Sequence, residues 1–327
     1  MLRVRAQLGL TDSFYQSLPE RTIQNKIGIA VLDSGMALHP DLKEHIAAFR
    51  DFTGREAGKP SMNSLTKSFD DYGHGTHVCG ILCGDGRLSE GLYRGIVPNA
   101  KLIVGKVLDH RGDGMSQTMI EGMEWVLGQK NRYGIRLLNV SVGISQLRER
   151  RKLEALQEMI RRLTKAGILV VCAAGNHGPA AGTLSALGEI PEVISVGCHD
   201  GIYYRTDPRR CDRFCGRGKE RAIPRKPDVV APGTCIISCS ANNGKRRGMP
   251  EGYEERSGTS MSTAIVTGCL ALALRVNPML DISTLKHILT STCRDLGEPW
   301  NKQGWGMLQP RKMIQQVIEL QKKDKMT

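Results

Sequence analysis

A short apolar run ends in a carboxylate and a glycine at Ile27-Gly28-Ile29-Ala30-Val31-Leu32-Asp33-Ser34-Gly35. Near-continuous apolar character is typical of a strand that is buried on both faces, as in a parallel sheet. A side chain at the carboxyl end of such a strand lies where open α/β sheets place their binding sites. The run therefore predicts a central parallel strand and makes Asp33 a candidate site residue, although Asp-Ser-Gly is also an ordinary turn.

The same apolar signature recurs along the chain and alternates with helical spacing. Further strands are predicted at 101–108, 137–142, 168–173 and 193–196. Apolar residues recur three and four positions apart in 116–130 and 146–166, which predicts amphipathic helices between the strands. This alternation indicates an α/β layered fold with a parallel sheet and right-handed crossovers.

The chain of 327 residues reads as one domain. Hydrophobic residues make up 40% of it, which allows a sizeable core. No linker rich in proline or serine and no internal repeat interrupts the pattern. We expect a domain over residues 10–319 and a polar tail over 320–327.

The formal net charge is +13, with 46 Lys and Arg against 33 Asp and Glu. Basic residues concentrate between 205 and 226, which indicates either an anionic partner or a solvated loop. Because no nucleic-acid-binding motif accompanies the charge, we expect the loop and no nucleic-acid partner. No apolar run approaches the roughly 20 residues of a membrane helix, so no membrane partner is expected either.

The N-terminus and the ten cysteines bear on the compartment. No apolar block follows the first seven residues, so no signal peptide is visible. We expect a cytoplasmic protein, or an extracellular one if a prosegment has been removed. Thiols stay reduced in the cytosol, and several of these cysteines lie in apolar strings as buried hydrophobes do. Three C-x-x-x-C pairs leave a zinc site as the less favoured alternative.

A second candidate side chain lies in Gly73-His74-Gly75-Thr76-His77-Val78. The flanking glycines let backbone approach His74 closely and leave one edge of its imidazole open. Histidine titrates near neutrality and acts as a general base. The alternative is a structural or metal-bound pair of His74 and His77, for which no third ligand stands nearby.

The third candidate lies in Ser257-Gly258-Thr259-Ser260-Met261-Ser262-Thr263-Ala264, directly before the apolar run 265–276. The pattern predicts a buried helix with a serine in its first turn. Unpaired backbone N–H groups at a helix start stabilise an oxyanion that develops on a bound acyl group. The alternative is that Thr259 or Ser260 only caps the helix.

Together the three segments, in the order Asp33, His74, Ser260, resemble the subtilisin family of serine proteases. The resemblance runs from residue 27 to about 306 and includes 173–176, 227–233 and 304–306. It is closest to the intracellular bacterial branch. It implies a three-layer αβα fold with a mostly parallel central sheet, and a serine endopeptidase that acts on peptides or unfolded proteins and requires no cofactor.

The resemblance also assigns catalytic roles. Ser260 matches the nucleophile, His74 the base that takes its proton, and Asp33 the group that fixes the imidazole. Asn176 matches the side-chain donor of the oxyanion hole, where the backbone N–H of Ser260 is its partner.

A substrate pocket follows from the same resemblance. Its walls match seven residues, Ser141, Val142, Gly143, Ile144, Ala173, Ala174 and Gly175. Ile144 stands where relatives often have glycine, which implies a shallower pocket. His177 matches a rim position at which a carboxylate would favour basic side chains. We therefore expect broad specificity with a preference for uncharged, apolar residues before the scissile bond.

Many subtilisin relatives bind calcium through loop oxygens, and Asp41 matches one ligand position. The loop Gly84-Asp85-Gly86-Arg87-Leu88-Ser89-Glu90-Gly91 offers further oxygens. Asp and Gly in a loop more often form a turn. Structural calcium therefore stays an open alternative, with no part in the chemistry.

Two other functions stay open. An inactive relative that serves as a binding scaffold or regulator usually lacks a member of the triad, whereas Asp33, His74, Ser260 and Asn176 are all present here. An esterase is disfavoured because the segment around Ser260 lacks the G-x-S-x-G elbow.

Overall fold

The structure is a computed structural model that describes residues 1–20, 22, 27–54, 68–98, 100–142, 150–201, 203, 207, 209–242 and 250–323. Its sheet contains β1 (Gly28–Asp33), β2 (Ile46–Asp51), β3 (Lys101–Lys106), β4 (Ile135–Val140), β5 (Leu169–Ala173), β6 (Ile194–Cys198) and β7 (Val229–Ala231). The strand order is β2-β3-β1-β4-β5-β6-β7, and each pair of neighbouring strands is parallel. The expected parallel sheet is confirmed.

Helices cover both faces of this sheet. They are α1 (Leu2–Gln7), α2 (Asp12–Gln16), α3 (His74–Cys83), α4 (Ser116–Tyr133), α5 (Arg150–Lys165), α6 (Thr259–Val276), α7 (Ile282–Ser291), α8 (Trp300–Gln303) and α9 (Pro310–Lys323). Ile29 and Val31 of β1 share a core with α3 and α6, whereas Ala30 and Leu32 share one with α4 and α5. Successive strand residues point to opposite faces, so a strand between two helix layers must be apolar throughout.

The predicted strands correspond to β1, β3, β4, β5 and β6, and the predicted helices to α4 and α5. Both edge strands were missed. Strand β7 has only three residues, and β2 buries only Ile46 and Phe49 of its six. A separate antiparallel hairpin of β8 (Ile236–Cys239) and β9 (Tyr253–Arg256) was also missed. Short or half-exposed strands carry too few apolar residues to stand out.

Helix α6 passes through the centre of the fold. Every one of its residues is buried, and it contacts α3 and the strands β4, β5, β6 and β7. Among the described residues it is the one helix long and apolar enough to cross a membrane, and all of it lies inside the protein. The first turn of this central helix carries Ser260.

One pair of cysteines lies close together in the fold. The Cα atoms of Cys198, at the end of β6, and Cys211 are 5.8 Å apart, within the range that a disulfide can span, and the expectation of reduced thiols stays a prediction. They meet because the chain folds back after β6. The other eight cysteines are free, and all except Cys293 are buried, as small hydrophobes are.

The domain limits at 10 and 319 stay predictions. Helix α1 packs into the core through Met1 and Val4, which are buried. Helix α9 continues to Lys323, inside the segment 320–327 that was taken as a polar tail. The folded body thus includes residues on both sides of those limits.

Candidate active site

A hydrogen bond joins Asp33 and His74 at the carboxyl edge of the sheet. Asp33 ends β1 and is fully buried, while His74 begins α3 with a side chain 15% exposed. Nδ1 of His74 lies 2.7 Å from Oδ1 of Asp33, and the N–H of Ser34 donates to the same oxygen at 2.7 Å. A carboxylate partner favours the proton on Nδ1, so Nε2 is left to accept another proton.

Two glycines bring the segments of Asp33 and His74 into contact. A Cβ added to Gly75 would lie 2.1 Å from the carbonyl oxygen of Gly35, far inside van der Waals contact. Gly35 has a φ of +120°, in the region that favours glycine. The first turn of α3 can therefore rest on the end of β1 only because both positions lack a side chain.

Asp70 organises the turn that delivers His74. Its carboxylate accepts hydrogen bonds from the Ser34 hydroxyl at 2.8 Å, the Gly73 N–H at 2.7 Å, and the N–H and hydroxyl of Thr76 at 2.8 and 2.7 Å. Burial alone raises a carboxyl pKa, but these donors outweigh it and hold the pKa of Asp70 below its usual value. The ionised carboxylate thus fixes the start of α3.

Ser260 lies in the first turn of α6 and is only 7% exposed. Its hydroxyl donates to the carbonyl oxygen of Ser141 at 2.6 Å, and the Ser141 hydroxyl donates to the carbonyl oxygen of Ser260 at 3.1 Å. This reciprocal pair ties the end of β4 to the start of α6. Among the described residues, the Ser260 hydroxyl is bonded to Ser141 and not to His74; catalytic hydrogen bonds are often unformed without substrate.

The amide of Asn176 is oriented by the start of α6. Both the N–H and the hydroxyl of Thr259 donate to Oδ1 of Asn176, each at 3.1 Å. Because Oδ1 accepts both, the orientation of the amide is set and the Nδ2 group points away from Thr259. Asn176 lines the same cavity as Ser260, so Nδ2 is available as a donor there.

One cavity of about 470 Å³ joins these side chains. It is lined by five of the predicted site residues, His74, Ser141, Val142, Asn176 and Ser260. Other lining residues are not predicted from the sequence, among them Tyr72, Met115, Met119, Arg256 and Ser257. Tyr72 and Arg256 directly flank the His74 and Ser260 motifs in the sequence, and that proximity is the signal that points to them.

The other substrate-pocket candidates have different positions. Ala173, Ala174 and Gly175 are buried at and after the end of β5, and His177 is exposed. In the part of the chain that the structure describes, none of these four lines the cavity. Gly143 and Ile144 lie outside the described residues. The shallow pocket and the apolar preference therefore stay predictions.

His77 serves the packing of α3 rather than the cavity. It is fully buried, and its Nε2 lies 3.0 Å from the carbonyl oxygen of Ile236 and 3.2 Å from that of Glu254, in β8 and β9. Burial, with Arg256 and His74 nearby, holds the pKa of His77 well below its usual value. His74 and His77 thus face different partners, which speaks against a metal bound by this pair.

The residues around Asp41 do not fit calcium. Asp41 is buried; its Oδ1 accepts the N–H of Leu88 at 3.0 Å, and its Oδ2 accepts the hydroxyl of Tyr253 at 2.6 Å. The other ligand-type side chains beside it are His39 and Cys239, whereas calcium takes oxygen ligands. Both ring nitrogens of His39 also lie in hydrogen bonds to backbone groups. Protein donors already satisfy this carboxylate.

Comparison with known proteins gives a consistent picture. The model of the Peptidase S8 group, described as the subtilase family, matches residues 24–306. Serine protease AprX of Bacillus subtilis (strain 168) is 36% identical over 275 residues, which cover 80% of this chain and 60% of AprX. The intracellular serine protease of Paenibacillus polymyxa is 35% identical over 251 residues, which cover 75% of this chain and 66% of that protein.

Solved structures agree with the sequence relatives. Sphericase superimposes with a TM-score of 0.72 at 27% identity, covering 87% of this chain and 91% of that one. The S41 psychrophilic protease superimposes with a TM-score of 0.70 at 25% identity, covering 86% and 90%. The chain spans about 60% of the length of AprX, so family and fold are what these matches establish. The chain belongs to the subtilase family.

Proposed function

We propose that the protein is a serine endopeptidase that hydrolyses peptide bonds through an acyl-enzyme. The observation that carries the proposal is the 2.7 Å hydrogen bond between His74 and Asp33, at a cavity that Ser260 and Asn176 also line. Membership of the subtilase family supports it, as do the serine proteases among the relatives.

In the first half of the reaction, Nε2 of His74 takes the hydroxyl proton of Ser260 while Oγ attacks the carbonyl carbon of the scissile bond. Buried Asp33 stabilises the imidazolium that results and holds the ring in place. His74 then gives the proton to the leaving amine, and the acyl group remains on Ser260. In the second half, water attacks the ester with the same base, and the carboxylic acid departs.

The negative oxygen of each tetrahedral intermediate needs donors that are already in position. We assign this role to Nδ2 of Asn176 and the backbone N–H of Ser260 at the start of α6. The two hydrogen bonds from Thr259 to Oδ1 support the assignment because they hold the amide before substrate arrives. A donor that needs no reorganisation stabilises the transition state more strongly.

Peptides and unfolded proteins are the proposed substrates, bound as an extended strand along Ser141 and Val142 after β4. Every step above uses a group of the protein, so the proposal requires no cofactor. The intracellular serine proteases among the relatives support a cytoplasmic location.

The test combines covalent labelling with cleavage mapping. A fluorophosphonate should label Ser260 in the folded protein, and mass spectrometry of a proteome-derived peptide library should show new termini. Ser260→Ala should abolish both, with a rate loss of about 10⁶, the size measured for this change in subtilisin itself. Ser257→Ala is the matched control, since it removes a hydroxyl beside the cavity and leaves the nucleophile. Folded protein that is neither labelled nor active would be an inactive scaffold.

A further inference from the structure

Arg256 is a cavity residue that the mechanism above does not use. It ends β9 and lines the cavity with His74 and Ser260. In the described lining of the cavity it is the single Lys or Arg side chain, and it is 25% exposed. A fixed positive charge beside the reacting groups acts on whatever part of the substrate lies next to it.

Contacts with two residues hold the guanidinium. Its Nε donates to Oε1 of Glu254 at 2.9 Å, and the Glu254 side chain is 1% exposed. Its Nη2 lies 3.4 Å from the carbonyl oxygen of Tyr72, and its central carbon lies 5.9 Å from the centre of the Tyr72 ring, within the range of a cation–π contact. The fork of a guanidinium held in this way suits a planar carboxylate.

These contacts hold Arg256 beside His74 in the cavity. Nη2 would lie 3.1 Å from a Cβ added to Gly73, so Arg256 borders the two residues that directly precede His74. His74 must hand its proton to the leaving amine, and residues beside it therefore flank the departing part of the substrate. Ser141 and Asn176, on other elements, line the cavity as well.

Tyr72 lies close both to Arg256 and to the loop that carries Asp113. A Cβ added to Gly112 would lie 2.6 Å from Cζ of Tyr72, so the loop that carries Asp113 packs on the hydroxyl end of the ring. The guanidinium instead lies against the ring and the backbone of Tyr72. The backbone at Gly112 and the guanidinium of Arg256 thus lie against different parts of Tyr72.

We propose that Arg256 determines specificity by binding a carboxylate on the leaving-group side, so that substrates with Glu or Asp directly after the scissile bond are favoured. This proposal rests on the proposed peptidase function. The same carboxylate chemistry is offered by the free C-terminus of a short substrate, and the experiment separates the two sources. Glu254 offsets part of the charge of Arg256. The preference for an acidic residue therefore depends on hydrogen bonds between the guanidinium and the substrate carboxylate.

The experiment compares three quenched fluorescent peptides that share one acyl part. The first has Glu after the scissile bond and an amidated end, the second has Gln with the same end, and the third has Gln as a free C-terminal residue. We expect kcat/KM to be about tenfold higher for the Glu peptide than for the amidated Gln peptide, as for one hydrogen bond between charged groups. The ratio should fall as salt is added.

Variants assign the preference to one side chain. Arg256→Gln should bring the ratio to one while the Gln peptide is still cleaved, and Arg256→Lys should keep part of the preference. Arg209→Gln is the matched control, because Arg209 pairs with Glu255 of the same strand and is 64% exposed, away from the cavity lining; it should leave the ratio unchanged. Thermal unfolding checks that each variant folds.

The outcomes separate the two proposals. Equal cleavage of the Glu and Gln peptides by the wild type, or a preference that survives Arg256→Gln, overturns the role of Arg256 and leaves the peptidase proposal intact. A preference for the free C-terminal acid alone supports carboxylate binding and overturns the preference for side chains. No cleavage of any peptide, with no labelling of Ser260, overturns the peptidase proposal and this one with it.

Discussion

The amide of Asn176 shows how single contacts prepare the candidate site. Thr259, the residue before Ser260, supplies two donors to Oδ1, so the first turn of α6 positions the proposed oxyanion donor. The proposed nucleophile and the proposed oxyanion donor are therefore linked through one neighbouring residue. A change at either side chain should alter catalysis without a large change in the fold.

Asn176→Ala should lower kcat by about 10²–10³ with little change in KM, which is the size measured when subtilisin itself loses one such donor. The reason is that the lost hydrogen bond forms only as charge develops on the oxygen. Steady-state kinetics on one peptide measures the effect, and Asn176→Asp, similar in size but without the donor, should lose at least as much. An Ala variant with unchanged kcat would remove Asn176 from the mechanism.

At the scale of elements, α3 is attached to the β8–β9 hairpin through His77. This buried ring donates toward carbonyl oxygens of both strands, while His74, one turn earlier, is held by β1. The helix is thus fixed at two points, one of which orders the candidate base. Because burial favours the neutral form of His77, the attachment depends on pH.

The unfolding free energy should fall as the pH drops below 6.5, the ordinary histidine value. The unfolded chain then binds a proton at residue 77 that the folded protein excludes, so the stabilisation present above 6.5 is lost as the pH falls toward the folded pKa. One such group contributes at most about 1.4 kcal/mol per pH unit.

Denaturant titrations between neutral and mildly acidic pH measure how steeply the unfolding free energy changes with pH. The His77→Gln variant should show a smaller slope than the wild type. Part of the slope should persist, since burial also lowers the pKa of His39, His45 and His199. A slope identical to that of the wild type would show that His77 is not the group responsible.

The sequence predicts the elements that have a local pattern of their own. It does not predict positions that depend on contacts between distant segments of the chain. Strand β1 and the segments around His74 and Ser260 carry their own signatures, and the structure brings Asp33 and His74 into contact. The position of Arg256 depends on a hairpin whose four-residue strands have no clear periodicity. The approach of Cys198 and Cys211 depends on how the chain folds after β6, which no spacing rule encodes.

At the scale of the whole molecule, Asp41 connects three distant parts of the chain. Its carboxylate joins the segment after β1 to Leu88 and to Tyr253 of β9. Burial and the carboxylate of Asp41 raise the pKa of Tyr253 well above its usual value, so the phenol remains a donor at all ordinary pH values. The Tyr253 hydroxyl thus occupies one acceptor position of Oδ2.

Excess EDTA should therefore leave the melting temperature unchanged. Tyr253→Phe should lower the unfolding free energy by about 2 kcal/mol, because a buried charged group loses its hydrogen bond. Calorimetry with and without chelator measures both effects, and Tyr93→Phe, which leaves the Asp41 contact in place, is the matched control. A melting temperature that drops with EDTA and recovers with added calcium would contradict this account of Asp41.

The burial of α6 affects how long the protein keeps its fold at elevated temperature. A nucleophile on a surface loop can be lost through local fraying, but Ser260 belongs to the helix around which the layers assemble. Its position is protected by the same kinetic barrier that protects the entire core. We therefore expect the lifetime of the protein at elevated temperature to follow global unfolding, and stabilising substitutions far from the cavity to prolong it.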